Sequence, residues 1–450
     1  MKYVIGLGKT GVCVARYFIE HQIPFLAWDD SPALQEKIQL MGGAIVDPNK
    51  APWPIIEVLI LSPGIPTTFP TPHIAVQKAK QYDIPYMGDV EYWYQRIQNL
   101  GYRYVGITGT NGKSTTHNMV DNILSAANIP HFSGGNSGVP VMESPKLSVG
   151  AIINLEMSSY QLDILDTMSF DAGVILNITP DHLERHGSME HYISSKQTQI
   201  ERVKVGGLKV IGIDCEYSAQ AYDSLVRSGH VDIIPISANQ ILSDGVYTIG
   251  DQVISAEEDK TIILGQIPEN LPGAHNAQNV MAALLVCRYL GVSVKDFFKL
   301  LPKYSGLDHR QERVLETLTA VFINDSKATN ADATLPALKT YSNIYWIVGG
   351  IAKEEGVVPL LHHLQNVEKI FLIGDSSKRF QEELKGIKQT VILANTLNEV
   401  LRLISEDLKY IDHKVTVLLS PACASQDQFQ NFEHRGRVFK ELVQQQFGPA

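Results

Sequence analysis

Cysteine is scarce in this chain, with four in 450 residues: Cys13, Cys215, Cys287 and Cys423. They are scattered and show no metal-type pairing, so a disulfide framework is set aside and a reducing compartment fits better. Positive charge is short as well. Lysine and arginine number 38 against 48 aspartates and glutamates, a formal net charge of -10. A general nucleic-acid binder needs a basic surface, so that class is excluded, while a local basic pocket for a phosphorylated small molecule is not. No apolar run is long enough to span a bilayer. There is no low-complexity tract and no short-period repeat. Met1 leads directly into a strand pattern, leaving no room for a signal peptide. The expectation is a cytoplasmic α/β protein with neither nucleic acid nor membrane as partner.

What is present is length and motif. A chain of 450 residues is too long for one ordinary core, and about three domains are expected. The boundaries read as 1–98, 99–305 and 306–450. At the centre stands Gly106-Ile107-Thr108-Gly109-Thr110-Asn111-Gly112-Lys113-Ser114-Thr115. A strand pattern over Tyr102–Val105 precedes it and helical spacing over Thr116–Ala126 follows. At such a turn the backbone N–H groups and the helix dipole favour an anion. Lys113 adds a full charge, and the Ser114 and Thr115 hydroxyls suit a nucleotide-bound magnesium ion. The phosphate-loop pattern wants a glycine where Ile107 stands; Gly106 is displaced by one. The plainer alternative is a Gly-rich turn beside a surface lysine.

The N-terminal stretch reads as a Rossmann-like domain. Strand Lys2–Ile5 runs into Gly6-Leu7-Gly8-Lys9-Thr10-Gly11 and a helix over Val12–His21, and strand Pro24–Trp28 ends at Asp29-Asp30. That layout holds a diphosphate on a helix N-terminus, with a carboxylate for a ribose or base. By itself it suits an NAD enzyme, a UDP-linked ligand, or a tight βα turn without any ligand. Strand Val58–Leu61 breaks at Ser62-Pro63-Gly64, which a rigid turn explains without a ligand.

Downstream of the phosphate loop, several strand ends carry polar residues. Asn136 lies among glycines (Gly134, Gly135, Gly138), where either close approach to a ligand or a flexible loop fits. Glu156 ends the apolar strand Ala151–Leu155, a place for a carboxylate on nucleotide-bound magnesium or for a helix-initiating residue. Strand Ala172–Leu176 leads to Asp181 and His182. Asn276 and Asn279, three apart at the start of an apolar helix over Val280–Leu290, suit a purine edge or helix capping.

From Ser305 onward strands and helices alternate, implying a mostly parallel, Rossmann-like sheet. Its strands are Val321–Asn324, Ile344–Val348, Lys369–Ile373, Val391–Ala394 and Val415–Leu419, with a helix read over Val357–His362 and another over Arg435–Gln445. Loops at 324–330, 349–353 and 420–432 fall on one sheet edge. There Lys327, Thr329, Lys353 and Ser425 suit an anion, and two lysines suit a dicarboxylate.

Seven stretches together resemble the Mur ligase family over essentially the whole chain. They are G-T-N-G-K-S-T, L-E-M-S-S-Y-Q-L, L-N-I-T-P-D-H-L-E-R-H, G-A-H-N-A-Q-N, L-D-H-R-Q-E, N-D-S-K-A-T-N and S-P-A-C-A-S-Q-D-Q-F-x-N-F. The last two look like the pocket of the D-glutamate-adding branch. The resemblance implies an ATP-dependent ligase that joins D-glutamate to UDP-N-acetylmuramoyl-L-alanine through an acyl phosphate, in peptidoglycan precursor synthesis. It implies three domains: Rossmann-like, P-loop ATPase-like and Rossmann-like. ATP would lie on Gly109, Thr110, Asn111, Gly112, Lys113, Ser114 and Thr115, with Asn276 and Asn279 near adenine and Arg310 and Asp325 closing over the nucleotide. Thr115 and Glu156 would hold one Mg2+. His182 and Lys196 would hold a second, Lys196 as a carbamate; nothing local singles that lysine out. The catalytic set is thus Lys113, Glu156, His182 and Lys196. The UDP substrate would meet Lys9, Thr10, Asp29, Asp30 and Ser62, with Asn136 and His182 nearer its reacting carboxylate. D-glutamate would meet Lys327, Thr329, Lys353, Ser425 and Phe432. Two positions depart from the family pattern, Lys9 and Gln426, both commonly apolar. A monomer is expected. The rivals are a folylpolyglutamate-synthase-like ligase or another amino-acid-adding Mur ligase, an NAD-dependent dehydrogenase, and a non-catalytic nucleotide-controlled module.

Overall fold

The structure, a computed structural model, describes residues 1–257, 260–304 and 306–448. Ser305, the expected end of the central domain, lies outside the described residues. The chain forms two compact units. One holds Met1–Glu269 with Ala274–Tyr304; the other holds Asn270–Gly273 and the chain after Tyr304.

The first unit contains two sheets. The N-terminal one is five-stranded and parallel, in the order Ala44–Ile45, Phe25–Trp28, Lys2–Ile5, Val58–Leu61, Tyr86–Gly88. Val58–Leu61 is buried along its whole length, as an unbroken apolar run in a doubly covered parallel sheet should be. The second sheet has nine strands. Its parallel heart runs His131–Gly135, Ile152–Glu156, Arg103–Thr108, Phe170–Ile175, Val203–Gly212, Ile233–Ser237. Gly245–Ile249 extends it in parallel, and Gln252–Glu257 and Lys260–Gln266 finish it as antiparallel edge strands. One apolar core, including Phe18, Trp93, Tyr104, Phe132 and Phe170, is shared by the two layers.

The second unit carries a six-stranded sheet in the order Glu312–Glu316, Ala320–Asn324, Val415–Leu419, Ile344–Gly349, Val367–Ile373, Thr390–Asn395. All neighbours are parallel except the first pair. Separate apolar cores cover its two faces, one around Trp346 and Phe380, the other around Phe322, Phe371 and Phe439.

The three-sheet α/β architecture is the expected one. The differences are local. Residues 131–135 form a strand where a glycine loop is one of the two sequence readings. Val358–His363 is a 3-10 segment, not an α-helix, with Pro359 in its first turn. Three helices begin earlier than their apolar spacing indicates: Lys113–Ala126, Ala274–Tyr289 and Phe432–Phe447. Their first turns are polar because they face the loops described next, and such turns give no periodic signal.

Candidate active site

The loop after Arg103–Thr108 is held by backbone shape and cross-links. Gly109 and Gly112 have φ of 154° and 85°, and Gly112 caps the helix Lys113–Ala126 in the left-handed region. A Cβ on Gly112 would meet Asn279 Oδ1 at 2.3 Å. Asn279 is therefore under the loop, buried, its carbonyl oxygen accepting from the Thr116 hydroxyl at 3.1 Å. Asn276 is half-buried one turn earlier in the same helix. Thr110 N–H donates to Asn177 O, and Asn111 N–H to Asn177 Oδ1, both at 2.8 Å. The Lys113 ammonium donates to Gly109 O and Thr110 O, each at 2.8 Å. Ser114 is half-buried and Thr115 buried in the first helical turn. Gly106 is no loop residue. It lies inside the strand, and a Cβ there would strike the Gln199 amide at 2.3 Å, so its smallness admits the helix Met189–Glu201.

Beside this loop lie two buried ionisable groups. Glu156 ends its strand 2% exposed. Its Oε1 accepts from Asn136 Nδ2 at 2.9 Å, while Oε2 is buried and has no partner. Asn136 also donates its N–H to Glu156 O, so its first task is to aim this carboxylate. A half-satisfied buried carboxylate next to a phosphate loop is a place for a cation. Lys196, read locally as an ordinary lysine, is 1% exposed. Its Nζ donates to Gly109 O at 3.0 Å and lies 4.8 Å from the Tyr192 ring centroid. Burial, then the charge of Lys113, drive its pKa well below the usual lysine range, against the pull of Asp181. Such surroundings favour the neutral, nucleophilic form of the amine. His182, at φ 55°, opens the short helix Leu183–His186 and is exposed, 3.5 Å from Asp181 Oδ2. Glu156 and Thr115 fit Mg2+ as oxygen donors; Lys196 joins that set only after gaining an oxygen-bearing group.

In the N-terminal sheet, three glycines do different work. A Cβ on Gly6 would press on Ser62 at 2.8 Å and one on Gly11 would overlap Gly6 O at 1.9 Å, whereas Gly8 faces open space. Gly8 thus leaves the backbone approachable at the N-terminus of helix Lys9–Glu20. Ser62 Oγ donates to Gly6 O at 2.7 Å, the rigid-turn arrangement. Asp29 accepts the Leu7 N–H at 2.6 Å and the Ser31 N–H at 2.8 Å. Both its oxygens brace the loop, a role the motif alone does not disclose. Asp30 is exposed and accepts from Trp28 Nε1 at 3.2 Å. Thr10 is half-buried in the first helical turn. Lys9 donates to Gly138 O at 2.6 Å, tying this domain to the loop after Asn136.

In the second unit, the loops at 324–330, 349–353 and 420–432 follow adjacent parallel strands and so share one edge. A two-stranded ribbon, Ile351–Ala352 with Cys423–Ala424, joins two of them. Asp325 is buried, accepting from Ser420 Oγ at 2.7 Å and the Gln311 N–H at 3.2 Å. Burial pushes its pKa up to about 7, with Ser420 and Arg310 opposing. Lys327 Nζ lies 5.8 Å from the Phe432 ring centroid. Ser425 is buried with its hydroxyl unpartnered, and Gln426 Oε1 accepts the Ser425 N–H at 3.1 Å. Thr329 is half-buried and Lys353 exposed. Two residues that sequence reasoning passed over hold this edge. Arg435, buried, donates to Ser326 O at 2.8 Å and Cys423 O at 3.0 Å. His309 packs against Gly436 and pairs with Asn324 at 2.9 Å. Helical spacing buries position 435 but says nothing of which loops its guanidinium joins.

Residues 107–287 match the family model for the Mur ligase middle domain, and residues 1–88 match that for the MurD-like N-terminal domain of Mur ligases. The chain is 39% identical to a UDP-N-acetylmuramoylalanine--D-glutamate ligase of Rhodospirillum rubrum, over 98% of this chain and 93% of the relative. It is 37% identical to a protein of the same name from Caulobacter vibrioides, over 98% and 94%. Among solved structures, the fold is similar to UDP-N-acetylmuramate-alanine ligase MurC of Thermotoga maritima (TM-score 0.59, 17% identity, 99% of both chains). It is likewise similar to MurF of Acinetobacter baumannii (TM-score 0.60, 17% identity, 98% of this chain and 93% of that one).

Proposed function

The chain belongs to the Mur ligase family, and from that premise we propose that it joins D-glutamate to UDP-N-acetylmuramoyl-L-alanine, with ATP cleaved to ADP and phosphate. One observation carries this reading above the others: identity of 36–39% to ligases of that name along almost the entire chain. A folylpolyglutamate-type ligase is not favoured, because it leaves residues 1–88 and their match to a MurD-like N-terminal domain without a purpose. The work belongs to the cytoplasm, where the nucleotide-linked precursor is made; among the described residues no helix is long and apolar enough to cross a membrane.

A carboxylate is a poor acyl donor, and phosphorylation by ATP makes it a good one. The amine of D-glutamate then expels phosphate. Lys113 leaves its own loop carbonyls to neutralise the transferring phosphoryl oxygens. Glu156, aimed by Asn136, and Thr115 would hold Mg2+, which would supply charge neutralisation to phosphate oxygens. The buried Lys196 amine, its pKa lowered by desolvation, is suited to add CO2 as a carbamate with release of a proton, and together with His182 it would offer a second cation position. Gly8 and the helix it caps receive the diphosphate of the UDP substrate. Lys327, Thr329, Lys353, Ser425 and Phe432 hold D-glutamate, and Arg310 and Asp325 serve the nucleotide.

The test is a coupled phosphate-release assay across amino acids and acceptors. Release should require ATP, Mg2+, UDP-N-acetylmuramoyl-L-alanine and D-glutamate together. Equal turnover with L-glutamate, or with a folate in place of the UDP compound, would refute the assignment.

A further inference from the structure

Three side chains on three consecutive helices converge outside the set described above. Asp163 caps the C-terminus of Ser159–Leu162, His186 ends Leu183–His186, and His191 lies in the first turn of Met189–Glu201. One potential ligand atom from each lies within 4.8 Å of the other two. We propose that Asp163, His186 and His191 form a binding site for a divalent transition-metal ion of the zinc class, separate from the Mg2+ positions beside the phosphate loop.

The hydrogen bonds around the three residues argue for it. His191 Nδ1 lies 3.0 Å from His186 O, and a carbonyl only accepts, so that nitrogen carries the hydrogen. In the neutral ring Nε2 is then a lone pair, and it faces Asp163 Oδ1 at 2.8 Å. Two acceptors at that distance need a positive centre between them, either a proton or a metal. The same carboxylate oxygen is 3.0 Å from Ser195 Oγ, which in turn is 3.4 Å from His186 Nδ1. His186 Nδ1 therefore faces the same spot, while its Nε2 is paired with Ser159 Oγ at 3.0 Å. Each imidazole is thus oriented through one nitrogen, His191 by the His186 carbonyl and His186 by Ser159, and turns its other nitrogen toward the Asp163 carboxylate and the Ser195 hydroxyl between them, an orienting arrangement like that around metal-ligating histidines.

Two histidines and one carboxylate suit zinc, with water as the fourth ligand. Ligand atoms around tetrahedral zinc are about 3.3 Å apart, so side-chain rotations of about an ångström close the site. Asp163 is largely covered and His191 more open, at 11% and 36% side-chain exposure, which leaves an entry from solvent. A metal here ties three helices together next to Ser195, the neighbour of Lys196, and four residues after His182. It steadies those residues without touching substrate.

The test is Co2+ titration of the metal-free, full-length protein with excess Mg2+ present, read by visible ligand-field absorption and by bound metal per chain. The expected result is one Co2+ per chain with tetrahedral bands, displaced by Zn2+. Affinity should fall by about 100-fold or more in both H191Q and D163N, and stay as in the unsubstituted protein in H182Q. Metal-free H191Q and D163N should melt as the metal-free parent does, and either variant alone suffices for the comparison. Absence of tetrahedral bands, unchanged binding in the folded variants, or loss of binding in H182Q would each overturn the proposal. The first outcome leaves a plain His–Asp hydrogen bond.

Discussion

Asp325→Asn is the sharpest probe of the second unit's strand edge. Burial raises the Asp325 carboxyl from 3.8 to about 7. Between those values the folded protein holds a proton that the unfolded chain releases, so stability falls as pH rises through the window and the full penalty is present above it. At about 1.4 kcal/mol per pH unit, the displacement corresponds to about 4 kcal/mol. Asparagine carries no such charge. Ser420 Oγ, now 2.7 Å from Asp325 Oδ2, also lies 3.1 Å from Thr334 Oγ1. The hydroxyl can therefore turn to Thr334 and accept from the new amide. The substitution should stabilise by only about 1 kcal/mol at pH 4.5 and by roughly 4 kcal/mol at pH 8. Thermal and urea unfolding of the two proteins across that range measures the difference. A stability difference that stays flat with pH would show that Asp325 ionises as an exposed carboxylate does and that the burial argument is wrong. If Asp325 serves the nucleotide as proposed, turnover should move the opposite way at pH 8 and fall.

Three further outcomes follow from single contacts. Lys196→Ala should lose about 100-fold or more in turnover, with partial recovery on adding acetate; full activity indifferent to acetate would end the carbamate proposal. Gly106→Ala should cost about 1–3 kcal/mol by overpacking against Gln199, and Gln199→Ala in the same chain should recover most of it, as a double-mutant cycle by denaturant unfolding would reveal. Asp29→Asn should destabilise by about 1–2 kcal/mol, since one of its two backbone N–H bonds, to Leu7 or Ser31, must be given up. Its effect on the KM for the UDP substrate should exceed that on kcat if the loop it braces receives the diphosphate as proposed.

The alternation of strands and helices was legible because parallel strands bury both faces and read as short apolar runs; Val58–Leu61 and Val415–Leu419 match their expected bounds to the residue. The site was legible in part. Glycines and polar residues at strand ends mark loops open to a ligand, and Lys113, Glu156 and Asp325 do lie at or just beyond strand ends. Partnership was not legible, because it depends on register between segments far apart in sequence. Nothing near Asn136 says that it aims Glu156, twenty residues on. Nothing near Lys196 says that its helix lies close enough, through the gap left by Gly106 and Gly173, to bury the amine under Gly109.

That last point changes what the irregular glycine means. A phosphate loop needs small residues where the backbone meets an anion, and Gly109 and Gly112 meet that need with backbone angles other residues resist. Gly106 has another cause. It and Gly173 sit on neighbouring strands, and a Cβ on either would collide with Gln199, at 2.3 and 2.6 Å. The two glycines lower the helix Met189–Glu201 onto the sheet. Lys196, three residues before Gln199, is thereby carried out of water and into contact with the loop carbonyl. Desolvation by that close packing lowers the lysine's pKa and so favours the neutral amine, the form that carbamate formation requires. The displaced glycine and the buried lysine are therefore one feature, and replacing the first should raise the pKa of the second.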